Sequence, residues 1–210
     1  MRFRLHQWRG FGFGTLLLAL GVCSGHSTVI VFTNRAAFLD ALTPGYFADD
    51  FQSVVPGTNL ASLERSGQGF TVTHTSPGFS VYGTTGGEIG AFTNTGGMLA
   101  TMNPGTISAV GANFFLTDVN DLFASGKLTI SLIQSGLTTN LDITPLDKTT
   151  GSFLGFISDV PVISLSVSAG SAGKFTTYDN FIVGIPEPQW LLWLGFAAWS
   201  IRRRAAAVRC

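Results

Sequence analysis

The sequence has little charge, and its few cysteines and tryptophans lie near its two ends. Charged residues make up 11% of the 210 residues, and the twelve basic side chains balance the twelve acidic ones. The two cysteines are Cys23 and Cys210, so residues 26–185 contain no disulfide framework, thiolate metal site or thiol nucleophile. The four tryptophans also lie outside this middle region, which therefore lacks the largest aromatic platform for sugar stacking.

Catalytic motifs are missing as well. The sequence contains no HExxH, P-loop or dinucleotide-binding glycine motif. His74 alternates with Phe70 and Val72, so we interpret it as a sheet residue and not as a base. The glycines around Ser171 resemble a nucleophile elbow, but no histidine follows them, and we predict a hairpin loop there. We therefore predict a non-enzymatic protein, with a secreted hydrolase of polysaccharide as the alternative, because one sequence cannot pair carboxylates across a cleft.

The first 25 residues have the order of a secretory signal. Three arginines within the first nine residues precede an apolar stretch at 11–22, and small residues follow it. We predict a signal peptide at residues 1–25, with export through the Sec translocon and cleavage by signal peptidase. Lipid modification at Cys23 is the alternative, although Val22 is larger than the residue usual before such a cysteine.

Without its two ends the chain is acidic. Residues 26–185 carry five basic and eleven acidic side chains, a net charge of −6. A negative surface repels phosphate backbones, so we predict no nucleic-acid partner. Low charge together with abundant Ser, Thr and Gly is typical of an exported β protein.

The C-terminal 26 residues combine three features. Pro186, Glu187 and Pro188 come first, an apolar run at 189–201 follows, and the arginines at 202–204 end it. Thirteen helical residues span about 20 Å, which is less than the roughly 30 Å hydrocarbon core of a bilayer. The two prolines oppose extension of a helix backwards, and arginines favour the cytoplasmic side. The pattern predicts a short, temporary membrane span, with a permanent single-pass anchor as the alternative.

This tail resembles the PEP-CTERM sorting signal of exopolysaccharide-producing Gram-negative bacteria. The resemblance covers residues 185–210 and rests on Pro186, Glu187 and Pro188, then on Arg202, Arg203 and Arg204 after the apolar run. It implies recognition by an exosortase, a membrane-embedded cysteine transpeptidase. The protein would then pass from the inner membrane to the cell surface or the extracellular matrix. The six residues after the arginines form a longer trailer than is usual in the family.

The middle of the chain, residues 26–184, reads as one β domain. Asn34 can cap a short helix at 35–42. Alternating or β-branched and aromatic runs predict strands, and turn signals separate them at roughly ten-residue spacing. The predicted strands are 70–74, 112–117, 127–134, 151–158, 164–168 and 175–184. We predict an all-β fold, an antiparallel jelly-roll-like β-sandwich with one short N-terminal helix, and keep a curved barrel as the rival.

Two acidic positions predict a structural calcium ion. Asp50 lies early in the domain and Asp179 and Asn180 lie late, and terminal strands of a sandwich often lie side by side. Oxygen ligands of this kind suit calcium, and solvated acidic turns are the alternative and the simpler explanation. The Asp50-Phe51 and Asp179-Asn180 pairs also resemble the domain that PEP-CTERM proteins commonly carry. The loop with Asp118, Asn120 and Asp121 lacks EF-hand spacing and is a weaker calcium candidate.

The remaining function is binding. Tyr46, Phe47, Tyr82 and Tyr178 are candidates for sugar contacts by residue type. We therefore expect a surface or matrix protein, with exopolysaccharide as its candidate partner and no cofactor besides the candidate calcium.

Overall fold

The computed structural model describes residues 28–103, 105–170 and 172–188. The predicted signal peptide at 1–25, the apolar run at 189–201 and Arg202, Arg203 and Arg204 lie outside these described residues. All the predictions that concern them therefore stay predictions.

The described residues form fifteen strands, one α-helix and one short 3-10 helix. In chain order these are β1 (Val29–Phe32), α1 (Arg35–Asp40), β2 (Phe47–Asp49), β3 (Asn59–Leu60), β4 (Leu63–Gly67), β5 (Phe70–Thr75), β6 (Val81–Gly83), β7 (Ile89–Ala91), β8 (Gly97–Asn103), β9 (Ala109–Thr117), β10 (Phe123–Ala124), β11 (Leu128–Gln134), β12 (Leu137–Ile143), the 3-10 turn (Thr150–Ser152), β13 (Phe153–Ser158), β14 (Val162–Ala169) and β15 (Phe175–Gly184).

The strands make two sheets with antiparallel pairing throughout. The large sheet has nine strands in the order β1-β13-β9-β15-β7-β6-β3, with β10 beside β9 and β2 beside β15. The small sheet has six strands in the order β12-β11-β14-β8-β5-β4. Apolar side chains from both sheets form one continuous core between them. The predicted all-β, antiparallel jelly-roll-like sandwich with one short N-terminal helix is confirmed.

The small sheet buries one face. Along β5 the side chains of Phe70, Val72 and His74 are buried, and the threonines between them are half-buried on the opposite face. The strand β11 alternates in the same way from Leu128 to Gln134. Side chains two residues apart share a face, so this period-two pattern orients both strands against the core.

The large sheet is buried on both faces at its centre. All nine residues of β9 are buried. A second apolar cluster, which includes Phe38, Leu42 and Ile182, covers the outer face. The ring of Phe38 lies over the paired glycines Gly111 and Gly155, where an added Cβ would come within 2.9 Å of Phe38 Cε1 and 2.6 Å of Phe38 Cγ, respectively. These two glycines thus make the slot that lets α1 cover the sheet.

Each of the six predicted strands falls on an observed strand. The helix is capped as predicted, because Asn34 Oδ1 accepts a hydrogen bond from Ala37 N at 3.0 Å. It ends at Asp40 and not at Leu42, since Leu42 forms a β-bridge with Pro186 instead. The predicted hairpin around Ser171 is wrong, because β14 and β15 belong to different sheets and the connection crosses between them. Ser171 itself lies outside the described residues.

Candidate functional site

The segment at 185–188 leaves β15 and stays paired to the domain. Thr43 donates two hydrogen bonds to the carbonyl oxygen of Ile185, from N and Oγ1, both at 2.9 Å. Glu187 N donates to the carbonyl oxygen of Ala41 at 3.0 Å. Pro186 and Pro188 have no N–H to donate, so Glu187 supplies the single backbone donor of the tripeptide. The predicted sorting motif therefore lies as a short extended edge against residues 41–43.

The motif is accessible along this edge. Ile185 is 40% exposed, and the side chains of Glu187 and Pro188 are exposed as well. An open cleft of about 490 Å³ runs beside the segment, and Thr28 and Asp159 form part of its opposite wall. Arg202, Arg203 and Arg204 lie outside the described residues, so the structure does not relate them to the motif.

The three predicted calcium ligands meet at the edge of the large sheet. The strand β2 pairs with β15 so that Asp49 lies opposite Phe181, which brings Asp50 near the turn in β15. The β15–β9 register shifts between Asp179 and Ile182, and Asn180 adopts a left-handed φ of 51° within this irregularity. Asp50 and Asn180 line a cavity of about 280 Å³. The expectation that the early and late acidic residues lie close together is therefore correct.

Most oxygens at this edge already accept hydrogen bonds. Asp49 forms an ion pair with Arg65, whose Nη2 lies 3.1 Å from Asp49 Oδ1. Asp50 Oδ1 accepts from Gln52 N at 3.2 Å. Asp179 accepts from the backbone N of Asn180 at 2.6 Å and from its side-chain Nδ2 at 2.9 Å. The arrangement is a hydrogen-bonded turn in which sequence neighbours orient Asp50 and Asp179, while Arg65 orients Asp49.

The electrostatics of Asp179 are unusual. The pKa of its carboxyl group is raised to about 6, chiefly by burial and also by the negative charges of Glu88, Asp50 and Asp49, and the Asn180 backbone hydrogen bond opposes this rise. A bound cation would relieve this repulsion. Within residues 28–103, 105–170 and 172–188, however, no three His, Cys, Asp or Glu side chains are grouped to hold a metal ion. Calcium at Asp50, Asp179 and Asn180 stays a prediction.

His74 lies at the centre of the sandwich and connects the two sheets. Its Nδ1 is 2.7 Å from the hydroxyl oxygen of Tyr178, and both side chains are fully buried. Phe51 and Phe181 pack edge-on against the imidazole ring, at 5.2 and 5.0 Å between ring centroids. Burial lowers the pKa of His74 to about 3, so the ring is neutral at physiological pH. The interpretation of His74 as a sheet residue agrees with this position.

The aromatic candidates for sugar binding divide between core and surface. Tyr178 is fully buried and is excluded as a surface contact, because its side chain fills the space between the sheets. Tyr46 and Phe47 are half-buried and pack on the two apolar clusters. Tyr82 is half-buried on the outer face of the large sheet and lines an open cleft there.

Sequence reasoning missed one polar cluster completely. Lys148 Nζ lies 3.0 Å from Glu88 Oε1 and donates to the carbonyl oxygen of Asp121 at 2.7 Å, and it sits 5.5 Å above the centre of the Phe115 ring. These partners are 60 and 27 residues away along the chain. No local pattern connects them, so only the folded arrangement reveals that Lys148 joins three loops.

Comparison of the chain with protein-family models, with curated proteins and with solved structures gives no match. In the part of the chain that the structure describes, no helix combines the length and apolar character needed to cross a membrane.

Proposed function

We propose that the chain is an exported cell-surface or extracellular-matrix protein, sorted by exosortase through its C-terminal tail and associated with exopolysaccharide. The observation that carries the proposal is the order of the tail: the Pro186–Pro188 tripeptide, an apolar run and three arginines. A secretory leader at the other end fits the same route, with the domain outside and the arginines inside. The inner membrane is then a temporary location.

The geometry of the motif supports recognition by a peptidase. Residues 185–188 are extended, and all of them except the half-buried Pro186 are exposed; three hydrogen bonds to or from residues 41–43 hold them. Proteins commonly bind extended peptides by adding them as a strand. An enzyme that binds the segment this way must replace the bonds of Thr43 and Ala41. The folded domain therefore sets how far the motif reaches from the surface.

Intact mass of the exported protein tests the proposal. In an exosortase-bearing host we expect an intact mass that corresponds to a chain ending near residues 186–188, without residues 202–210. Replacement of all three motif residues by alanine should leave the tail attached. Glu64→Gln is the matched control, because Glu64 is an exposed carboxylate on β4, far from the motif in sequence, and processing should continue. A wild-type mass that still includes residues 202–210 would contradict sorting and support a permanent anchor.

The chain length of a polysaccharide after incubation with the protein distinguishes the hydrolase alternative from the binding proposal. We expect neutral polysaccharide incubated with the exported protein to keep its chain length, as measured by size-exclusion chromatography. His74 cannot act as a base at a surface, since it is fully buried between the sheets. Shortened chains would support the hydrolase and would direct attention to the carboxylates.

A further inference from the structure

The outer face of the large sheet carries a cleft that none of the sequence patterns indicates. It lies where β6, β7 and β15 run side by side, next to the loop at 118–122, and has a volume of about 180 Å³. Its walls differ in chemistry. The lining combines aromatic rings, which we call the aromatic wall, with carboxylates and threonine hydroxyls, which we call the polar wall, and it includes one glycine.

The aromatic wall contains Tyr82, Phe92 and Phe175. The rings of Tyr82 and Phe92 lie 6.2 Å apart between centroids, with their planes tilted by 51°. Phe92 is 49% exposed, and Val119 at the rim of the cleft is 79% exposed. Water-exposed rings at a concave site offer a flat apolar face with a negative quadrupole, which attracts polarised C–H groups.

The polar wall is held in place before any ligand arrives. Asp118 Oδ1 accepts from the backbone N of Asn120 at 2.8 Å and of Leu122 at 3.0 Å. Asp121 has a left-handed φ of 61°, and its Oδ2 accepts from Thr85 N at 3.0 Å. Lys148 donates to the carbonyl oxygen of Asp121 at 2.7 Å. Aspartate tolerates this backbone conformation, and such fixed, unusual conformations cluster at functional sites.

Asp118 keeps a negative charge on this wall at neutral pH. The backbone N–H groups of Leu122 and Asn120 lower the pKa of Asp118. Charged carboxylates accept stronger hydrogen bonds from hydroxyl groups than neutral acceptors do. The wall is therefore suited to a ligand with several hydroxyl donors and repels one with its own negative charge.

Gly90 makes the space between the walls. Tyr82, Gly90 and Thr177 lie in one row across β6, β7 and β15, because Gly90 pairs with both neighbours. A Cβ at Gly90 would lie 3.0 Å from Thr176 O and 3.0 Å from Thr177 Oγ1. The glycine is thus explained by close approach of the neighbouring strand, and its missing side chain leaves the cleft open.

We propose that this cleft binds one neutral sugar residue of a polysaccharide chain. A sugar ring presents a C–H face to Tyr82 and Phe92 and a hydroxyl edge to Asp118 and Asp121, so both walls are used. A purely apolar ligand would displace water from the carboxylates without offering them a hydrogen-bond donor, and a uronate or phosphate would be repelled by them. The volume is below the 300–1,000 Å³ of drug-sized sites, which fits one ring with the rest of the polymer passing over the rim. This inference rests on the polysaccharide association proposed above and names its site.

Affinity electrophoresis with defined polymers tests the site, using the exported protein recovered from its host whether or not the tail has been removed. We expect retardation by at least one of a neutral glucan, mannan or galactan, and none by polygalacturonate. Retardation measures polysaccharide binding, and intact mass measures removal of the tail. A protein that is not sorted and a cleft that does not bind sugar therefore give different results. No retardation by any neutral polymer, or equal retardation by polygalacturonate, would overturn the proposal.

Two variants and one control assign the binding to the cleft. Phe92→Ala should weaken retardation by about tenfold, since it removes an exposed ring face. Asp121→Asn keeps the size and tolerates the left-handed backbone but loses the charge, and it should weaken binding several-fold with an unchanged melting temperature. Phe79→Ala is the control, because Phe79 is similarly exposed (44%) and lies outside the cleft lining. Wild-type affinity in both cleft variants, or equal losses in the control, would contradict the assignment.

Discussion

The two sheets differ in how much of their surface the protein covers. The small sheet keeps one face towards water, and its strands β5 and β11 alternate between buried and half-buried residues. The large sheet is covered on both faces at its centre, where β9 is buried along its whole length. The cleft and the calcium candidates are lined by residues of the large sheet and of the loops beside it. An additional layer of side chains and loops is what creates concave, partly dry positions on a sandwich.

A substitution at Phe38 tests the apolar cluster that covers the outer face of the large sheet. Phe38→Ala should lower the free energy of unfolding by about 3–5 kcal/mol, because a fully buried ring is lost above the Gly111–Gly155 slot. Ile163→Thr on the exposed face of the small sheet is the control and should change stability by less than about 0.5 kcal/mol. Urea unfolding measures both. Equal changes in the free energy of unfolding would mean that the apolar cluster on the outer face adds no more stability than an exposed residue of the small sheet.

The interface between the sheets should respond to acid through His74. Its pKa is about 3 in the folded protein and near 6.5 when exposed, so the unfolded chain binds the proton more readily in that interval. Stability is therefore fully present above about pH 6.5 and is lost as the pH falls below it. At 1.36 kcal/mol per pH unit, the loss between pH 7 and pH 4.5 is about 2–3 kcal/mol.

The same interval contains an opposing change at Asp179. Its pKa is raised to about 6, so its contribution is favourable below the usual pKa of 3.8 and is lost as the pH rises through 6. His74→Gln separates the two groups, since it removes only the imidazole titration. We expect the variant to lose about 2–3 kcal/mol less than the wild type between pH 7 and pH 4.5, measured by urea unfolding. Identical pH responses would contradict the assignment to His74.

Lys148 joins three loops. Lys148→Met should lower stability by about 2 kcal/mol, because it leaves the carboxylate of Glu88, whose side chain is 8% exposed, without its charge partner. Adding Glu88→Gln should recover most of the loss. Lys127→Met is the control, since Lys127 and Asp142 form an exposed pair whose loss should cost less than about 1 kcal/mol. A double variant no more stable than Lys148→Met would contradict the pairing.

The smallest expected change in stability is at Asp179, and its sign tests the predicted calcium ion. Asp179→Asn should raise stability at pH 7 by about 1 kcal/mol, after allowing for solvent screening, because it removes a carboxylate that burial and three acidic neighbours disfavour. Thermal melts with and without a chelator measure this. A bound calcium ion predicts the opposite sign: the variant would be less stable, and the chelator would lower the melting temperature of the wild type.

Regular patterns could be predicted from the sequence, and irregular ones could not. The strand β15 was predicted with its observed bounds, because its β-branched and aromatic residues form one run that ends shortly before Pro186. The strand β12 was missed because its residues are only exposed or half-buried and the polar residues Thr138, Asn140 and Asp142 outnumber Leu141 and Ile143, the apolar residues that pack on the core. The proximity of Asp50 and Asp179 followed from the rule that terminal strands meet. The cleft did not follow from any rule, because Tyr82, Gly90 and Asp121 come together through register and loop packing.

The attachment of residues 185–188 to β15 has a mechanical consequence. A force applied at Pro188 first breaks the hydrogen bonds between residues 185–188 and residues 41–43, one after another. The load then reaches β15, which lies inside the large sheet with β9 on one side and β2 and β7 on the other, so their hydrogen bonds must be sheared together. A protein held at this point would therefore extend at low force at first, and a higher force would then be needed to detach β15 from the sheet.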